Sequence, residues 1–195
     1  MSEFRPQPAP AWAVQQWFNT DRPLSIEALR GKVIVLEAFQ MLCPGCVSHG
    51  LPQALRVHQT FPSSEVAVIG LHTVFEHHDA MTPTALRAFL HEYRMPFPVG
   101  VDMPDGQGGV PLTMQAYAMR GTPTLILIDA RGRLRRQYFG SVNDLTLGAD
   151  IAELILEARV DADADKGQPS ALPAGHPASA AAGDCASGAC LVDPK

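Results

Sequence analysis

Apolar and polar positions alternate along this chain with two different periods, and the changes of period divide it into elements. Val33 to Phe39 is a nearly continuous run of β-branched, aliphatic and aromatic residues, interrupted only by Glu37. It is too short for a confident helix and predicts a buried strand. From Cys46 to Thr60 the apolar residues Val47, Leu51, Ala54, Leu55 and Val57 follow helical spacing. Val66 to Leu71 reads as a second buried strand. Thr82 to Tyr93 reads as a helix with Thr82 as N-cap and Pro83 at its first position.

Phe97 to Val101 is a third strand candidate. Asp102 to Gly109, with three glycines, a proline and two aspartates, predicts a loop, and Pro111 to Met119 a modest helix behind it. Thr124 to Ile128 and Arg133 to Phe139 flank Asp129-Ala130-Arg131-Gly132, a turn signal that makes them an antiparallel hairpin. Leu145 to Arg159 closes the series as an amphipathic helix, with Ile151, Leu154, Ile155 and Ala158 on one stripe. Ahead of the first strand, residues 1–10 are Pro-rich and read as irregular. Trp12 to Phe18 suits an edge strand or short helix, and Leu24 to Leu29 a helical turn released by Gly31.

Strands alternating with helices imply an α/β fold: a mixed central sheet flanked by helices, with a parallel core and an antiparallel final hairpin. The 195 residues, 46% of them hydrophobic, suffice for one core and a tail. The expected division is an irregular segment over 1–10, a domain over 11–160 and a flexible tail over 161–195. That tail is rich in Ala, Asp, Pro, Gly and Ser, and ends in the pair Cys185 and Cys190. A net charge of -5 argues against nucleic acid as a partner, and the cluster Arg131 to Arg136 reads as a solvated face. No run reaches the length of a membrane span and residues 1–10 hold no apolar signal core, so no membrane partner is expected and the expected compartment is the cytoplasm, with the periplasm as alternative.

The chemistry concentrates in Cys43-Pro44-Gly45-Cys46, where the first long strand gives way to a helix. Free backbone N–H groups and the helix dipole at that point stabilise a thiolate, which makes Cys43 the expected nucleophile and Cys46 its resolving partner. A zinc half-site is the competing reading, and would need a second pair of ligands. His77 and His78 point in different directions in most backbones. The segment from His72 to Asp79 therefore reads as surface loop rather than chelate. His49 lies one turn beyond Cys46 and either tunes the thiols or is merely exposed.

With Leu29-Arg30-Gly31-Lys32 before the strand, Cys43-Pro44-Gly45-Cys46 after it, and Gly121-Thr122-Pro123-Thr124 before a late strand, residues 11–160 resemble the thioredoxin superfamily, in particular its TlpA/ResA-like thiol-disulfide oxidoreductases with redoxin domains. The resemblance implies a thioredoxin-like fold and a redox-active disulfide between Cys43 and Cys46 with no other cofactor. It further implies a cis Pro123 packed on the dithiol, and Thr122, Pro44 and Gly45 in contact with substrate. Glu37 falls where thioredoxins bury an acid beneath the second cysteine, a setting that raises a carboxyl pKa and suits proton exchange with Cys46; the other reading is a strand residue facing solvent or a backbone donor. Two departures limit the likeness: Leu42 stands where relatives commonly have Trp, and Pro52 comes one residue later than their helix proline.

The expected function is thiol-disulfide exchange, with protein disulfides as substrates and a thiol system as reductant. A reducing compartment favours disulfide reduction. Cys185 and Cys190 would exchange electrons with Cys43 and Cys46 as an internal shuttle, sit idle, or clip a soft metal. A thiol peroxidase is the neighbouring enzyme reading, although Gln40 stands where peroxiredoxins carry Thr or Ser. A metal-binding or redox-sensing module is the reading outside enzymes.

Overall fold

The strand that leads to the cysteines lies in the middle of a seven-stranded sheet. The computed structural model describes residues 6–167, with side chains through residue 164. Its strands are β1 (Gln7–Pro8), β2 (Val14–Phe18), β3 (Val33–Phe39), β4 (Val66–His72), β5 (Val99–Asp102), β6 (Thr124–Ile128) and β7 (Arg133–Phe139). The helices are α1 (Leu51–Thr60), α2 (Pro83–Glu92), α3 (Leu112–Ala116) and α4 (Asp144–Gly167). The sheet order is β1-β7-β6-β3-β4-β5-β2. β3, β4 and β5 run parallel, whereas β6, β7, β1 and β2 are added antiparallel. This is a thioredoxin-like mixed sheet flanked by helices.

The two-residue period of β3 sorts its side chains onto two cores. Val33, Val35 and Phe39 join Cys46, Leu51, Ala54 and Val57, together with the inner faces of α2 and α4. Ile34, Leu36 and Ala38 join Ile26, Met114 and Tyr117 on the other side. All seven residues of β3 are buried, as a strand covered on both faces must be. Glu37, lying between Val35 and Phe39, therefore points towards the layer that carries Cys46.

Thr82 caps α2 by accepting the Ala85 N–H at 3.3 Å, and Pro83 opens the helix. Trp12 and Trp17 pack against the second core. Among the described residues no helix is long and apolar enough to cross a membrane.

Several boundaries differ from the sequence reading. Within the segment expected to be irregular, Gln7 and Pro8 pair with Leu134 and Arg133 as a short edge strand. Asp102 is the last residue of β5 rather than the start of a loop. It is buried, and accepts from Thr73 Oγ1 at 3.0 Å, Thr113 N at 2.9 Å and Met114 N at 3.0 Å, so it ties β5 to α3. Helix α4 continues to Gly167, past the expected start of a flexible tail at 161. The arginines read as a solvated face are largely paired: Arg133 and Arg135 meet Asp129, Arg135 also meets Glu157, and Arg136 lies by Asp150 and Glu153. Cys185 and Cys190 lie outside the described residues.

Candidate active site

Chain geometry at the end of β3 produces the site. After Phe39 the backbone leaves the sheet, and the Cys43 N–H donates to Gln40 O at 3.1 Å, closing a turn. Pro44 and Gly45 are already helical, Gly45 with φ -64° and ψ -35°. Cys46–Gly50 then forms a π-helical turn before α1. A π turn adds a residue to the helical repeat, so Cys46 and Leu51, five apart, both face the core.

Cys43 is half-buried and Cys46 fully buried, and both are free thiols. The Cys46 N–H points at Cys43 Sγ, 3.3 Å away, placing a donor where negative charge would develop. Cys43 Sγ also lies 3.6 Å from Thr122 O. Burial, and secondarily the neighbouring Cys43 sulfur, push the Cys46 thiol up to about 12. The two sulfurs are therefore unequal: one is reachable, the other is a buried thiol that stays protonated at neutral pH.

Pro123 closes the site from the β6 side, and its peptide bond with Thr122 is cis. Its Cδ would lie 3.3 Å from a Cβ placed on Gly45, so the dipeptide between the cysteines runs directly against the proline ring. Gly50 is tighter still. A Cβ there would overlap Glu37 Oε1 and lie 3.0 Å from Pro123 Cβ. Gly50, about one turn beyond Cys46, thus packs closely against both Glu37 and Pro123. The Glu37 carboxyl is 1% exposed, its Oε1 has no hydrogen-bond partner, and burial raises it to about 8.

His72 is the residue that the sequence reading missed. Expected in a surface loop, it is completely buried as the last residue of β4, in register with Phe39, whose ring centre lies 5.3 Å away. The Met41 N–H donates to its Nε2 at 3.4 Å, while Nδ1 has no partner. Burial lowers its pKa to about 4. The available signal was the apolar run Val66 to Leu71, whose two-residue alternation continues through His72. Gln40 is buried as well, with its amide held by the Phe75 N–H and by Glu76. His49 is exposed and shares a hydrogen bond with Ser48; His77 and His78 are exposed. Among the described residues no group of three His, Cys, Asp or Glu side chains is placed to hold a metal ion.

Beside Cys43 the surface is apolar. Leu42 is 56% exposed and Phe139 50%, and Phe139 packs against Gly121 with the Arg120 guanidinium 4.8 Å from its ring centre.

The sequence matches the AhpC/TSA family over residues 6–137. The chain belongs to that family. Among solved structures, this AhpC/TSA chain resembles the crystal structure of a thioredoxin-like superfamily protein at 62% identity and a TM-score of 0.75, over 76% of this chain and 96% of that one. It also resembles a thiol-disulfide isomerase from Corynebacterium glutamicum at 53% identity and a TM-score of 0.71, over 75% and 96%. Among curated proteins, DipZ of Mycobacterium bovis is 29% identical over 126 residues, which are 64% of this chain and 17% of DipZ. NHL repeat-containing protein 2 of Homo sapiens is 26% identical over 127 residues, 64% of this chain and 16% of that protein. The chain therefore spans only about a sixth of the length of these curated relatives. Of the residues singled out from sequence, this AhpC/TSA fold brings Cys43, Pro44, Gly45, Cys46, Thr122, Pro123 and Glu37 into one site.

Proposed function

We propose that this chain is a thiol-disulfide oxidoreductase that reduces protein disulfides through Cys43 and Cys46. The observation that carries the reading is the inequality of the two sulfurs, one half-exposed with an N–H donor aimed at it and the other a buried thiol three residues on. In the proposed cycle the Cys43 thiolate attacks one sulfur of the substrate disulfide, and the other sulfur leaves as a thiolate that takes up a proton. Cys46 gives up its proton and attacks Cys43 Sγ, which breaks the mixed disulfide. The products are the reduced substrate and an oxidised Cys43–Cys46 pair, to be re-reduced by a dithiol donor.

Glu37 in its carboxylate form receives the Cys46 proton. Because its pKa is raised to about 8, that form grows as pH rises through neutrality, and the resolving step accelerates with it. Thr122, Pro44 and Gly45 line the approach to Cys43, and the exposed Leu42 and Phe139 give a substrate polypeptide an apolar footing. Cys185 and Cys190 enter the proposal as a relay that accepts electrons from the reduced pair.

The family match keeps peroxide reduction as the second reading, in which Cys43 would attack a peroxide oxygen. The Gln40 amide, bound to Phe75 and Glu76, favours the disulfide instead. Insulin-disulfide reduction with dithiothreitol tests the assignment on the intact chain, on Cys43→Ser and on a chain ending at Gly167. Turnover lost in Cys43→Ser is the expected result, with a further drop on truncation if the tail relays electrons. No turnover in the intact chain, with peroxide consumed in its place, would replace this function with the second.

A further inference from the structure

We propose that His72 is a positioning residue for the dithiol: by accepting the Met41 N–H it fixes the peptide from which Cys43 is launched, and so sets how readily the Cys43–Cys46 disulfide forms. This rests on the oxidoreductase reading above and adds to it a residue from the neighbouring strand.

β3 and β4 are paired in parallel from Val33 and Val66 up to Phe39 and His72, and the Thr73 N–H donates to Phe39 O at 3.1 Å as the last bond between the two segments. Beyond Phe39 the chain has no neighbouring strand to hold it, yet Cys43 is only four residues on. Two side-chain contacts take over there, both made to residues 72–76. The His72 ring receives the Met41 N–H, and the Gln40 amide bridges the Phe75 N–H and Glu76. Residues 40 and 41 are thus clamped immediately before the turn in which the Cys43 N–H meets Gln40 O.

The second observation is the unmet half of the ring. Because Nε2 accepts, the proton sits on Nδ1, and Nδ1 is buried without a partner. An apolar side chain would stack on Phe39 without burying an unpaired donor, so packing alone does not account for an imidazole. What an apolar residue could not supply is an acceptor for Met41. The ionisable groups of the surroundings are otherwise accounted for: Glu37 lies on the same sheet face against Gly50 and Pro123, Asp102 is held by Thr73, Thr113 and Met114, and Glu76 by Gln40.

The test compares His72→Gln with His72→Asn. The Gln amide oxygen stands as many bonds from Cβ as Nε2 does and can accept the Met41 N–H, whereas Asn reaches only as far as Nδ1. Each variant is equilibrated with reduced and oxidised glutathione, where two thiols of the pair become a disulfide as one oxidised glutathione becomes two reduced ones. The proposal requires the Met41–His72 bond to be stronger in one redox form than in the other, and a difference of about one hydrogen bond moves that equilibrium constant about three- to tenfold in His72→Asn, with His72→Gln within about twofold of wild type. Equal constants in all three proteins, or equal shifts in both variants that follow their melting temperatures, would overturn the proposal. Nitrogen chemical shifts of the wild-type ring give a readout that does not depend on the variants folding. They should show a proton on Nδ1 and none on Nε2, and the opposite tautomer would also overturn it. Should wild type form no Cys43–Cys46 disulfide at all, the oxidoreductase reading fails first and this one with it.

Discussion

At the scale of single residues, Gly50 carries the narrowest tolerance in the site. A methyl group there would overlap Glu37 Oε1 and press on Pro123, and none of the three is free to move, because Glu37 and Pro123 are themselves buried. Gly50→Ala is expected to cost about 1–3 kcal/mol in urea denaturation. In a Glu37→Ala background the same change should cost at least about 0.5 kcal/mol less, since the obstructing carboxyl is gone; strictly additive losses would show that Glu37 is not what resists the methyl. Glu37 itself was legible from sequence because a lone acid inside a strand buried on both faces must turn towards one core or the other. Gly50 was not, since its meaning depends on two residues far away in sequence. His72 was missed although the alternation of the preceding strand runs through it, because histidine is at home in loops as well as cores and two more histidines follow within six residues.

At the scale of elements, the β6–β7 turn depends on one carboxylate. Asp129, 4% exposed, accepts from the N–H groups of Arg131 at 3.0 Å and Arg133 at 2.9 Å, and from the side chains of Arg133 at 2.7 Å and Arg135 at 3.4 Å. Asp129→Ala removes all four acceptor contacts and leaves Arg135 with Glu157 alone, so a loss of about 2–4 kcal/mol is expected from chemical denaturation. Asp129→Asn, which keeps an acceptor for the backbone, should fall between; a loss below 1 kcal/mol for the alanine would mean that the turn is held by its backbone. The hairpin was legible from its turn residues and alternation. The pairing of its arginines was not, because it depends on which acids of α4 face β7, and helix phase relative to a sheet is a property of packing. The π turn was hidden for a related reason: Val47 and Leu55 fit ordinary helical spacing, and only the burial of Cys46 and Leu51 five residues apart reveals the added residue.

For the molecule as a whole, two buried groups bend its stability with pH in opposite directions. The fold keeps a proton on Glu37 up to about 8, whereas an unfolded chain releases it near 4.5; stability therefore declines as pH rises between those values. His72 refuses a proton in the fold until about 4, whereas the unfolded chain takes one up near 6.5, so stability declines as pH falls through that window. Each slope amounts to about 1.4 kcal/mol per pH unit, so between 4.5 and 6.5 they offset, and above 6.5 only the Glu37 slope remains. Urea denaturation from pH 5 to 8 should show a plateau followed by a decline of about 2 kcal/mol. In Glu37→Gln the decline should vanish and the plateau tilt downwards towards acid; a Glu37→Gln profile parallel to wild type would remove Glu37 from the account. The parallel core and the antiparallel final hairpin were legible at this scale, since strands alternating with helices admit few arrangements, but the full strand order was not. The end of the last helix was not, because Ala and Asp suit a helix as well as a linker. Its direction matters. Through Ala158, Arg159 and Ala162, α4 passes Gly31 and Glu65, at the end of the sheet opposite the cysteines, and Arg131 meets Asp161 there. Anything joined after Gly167 is therefore moored at the far pole of the molecule, with the whole length of β3 between its starting point and Cys43.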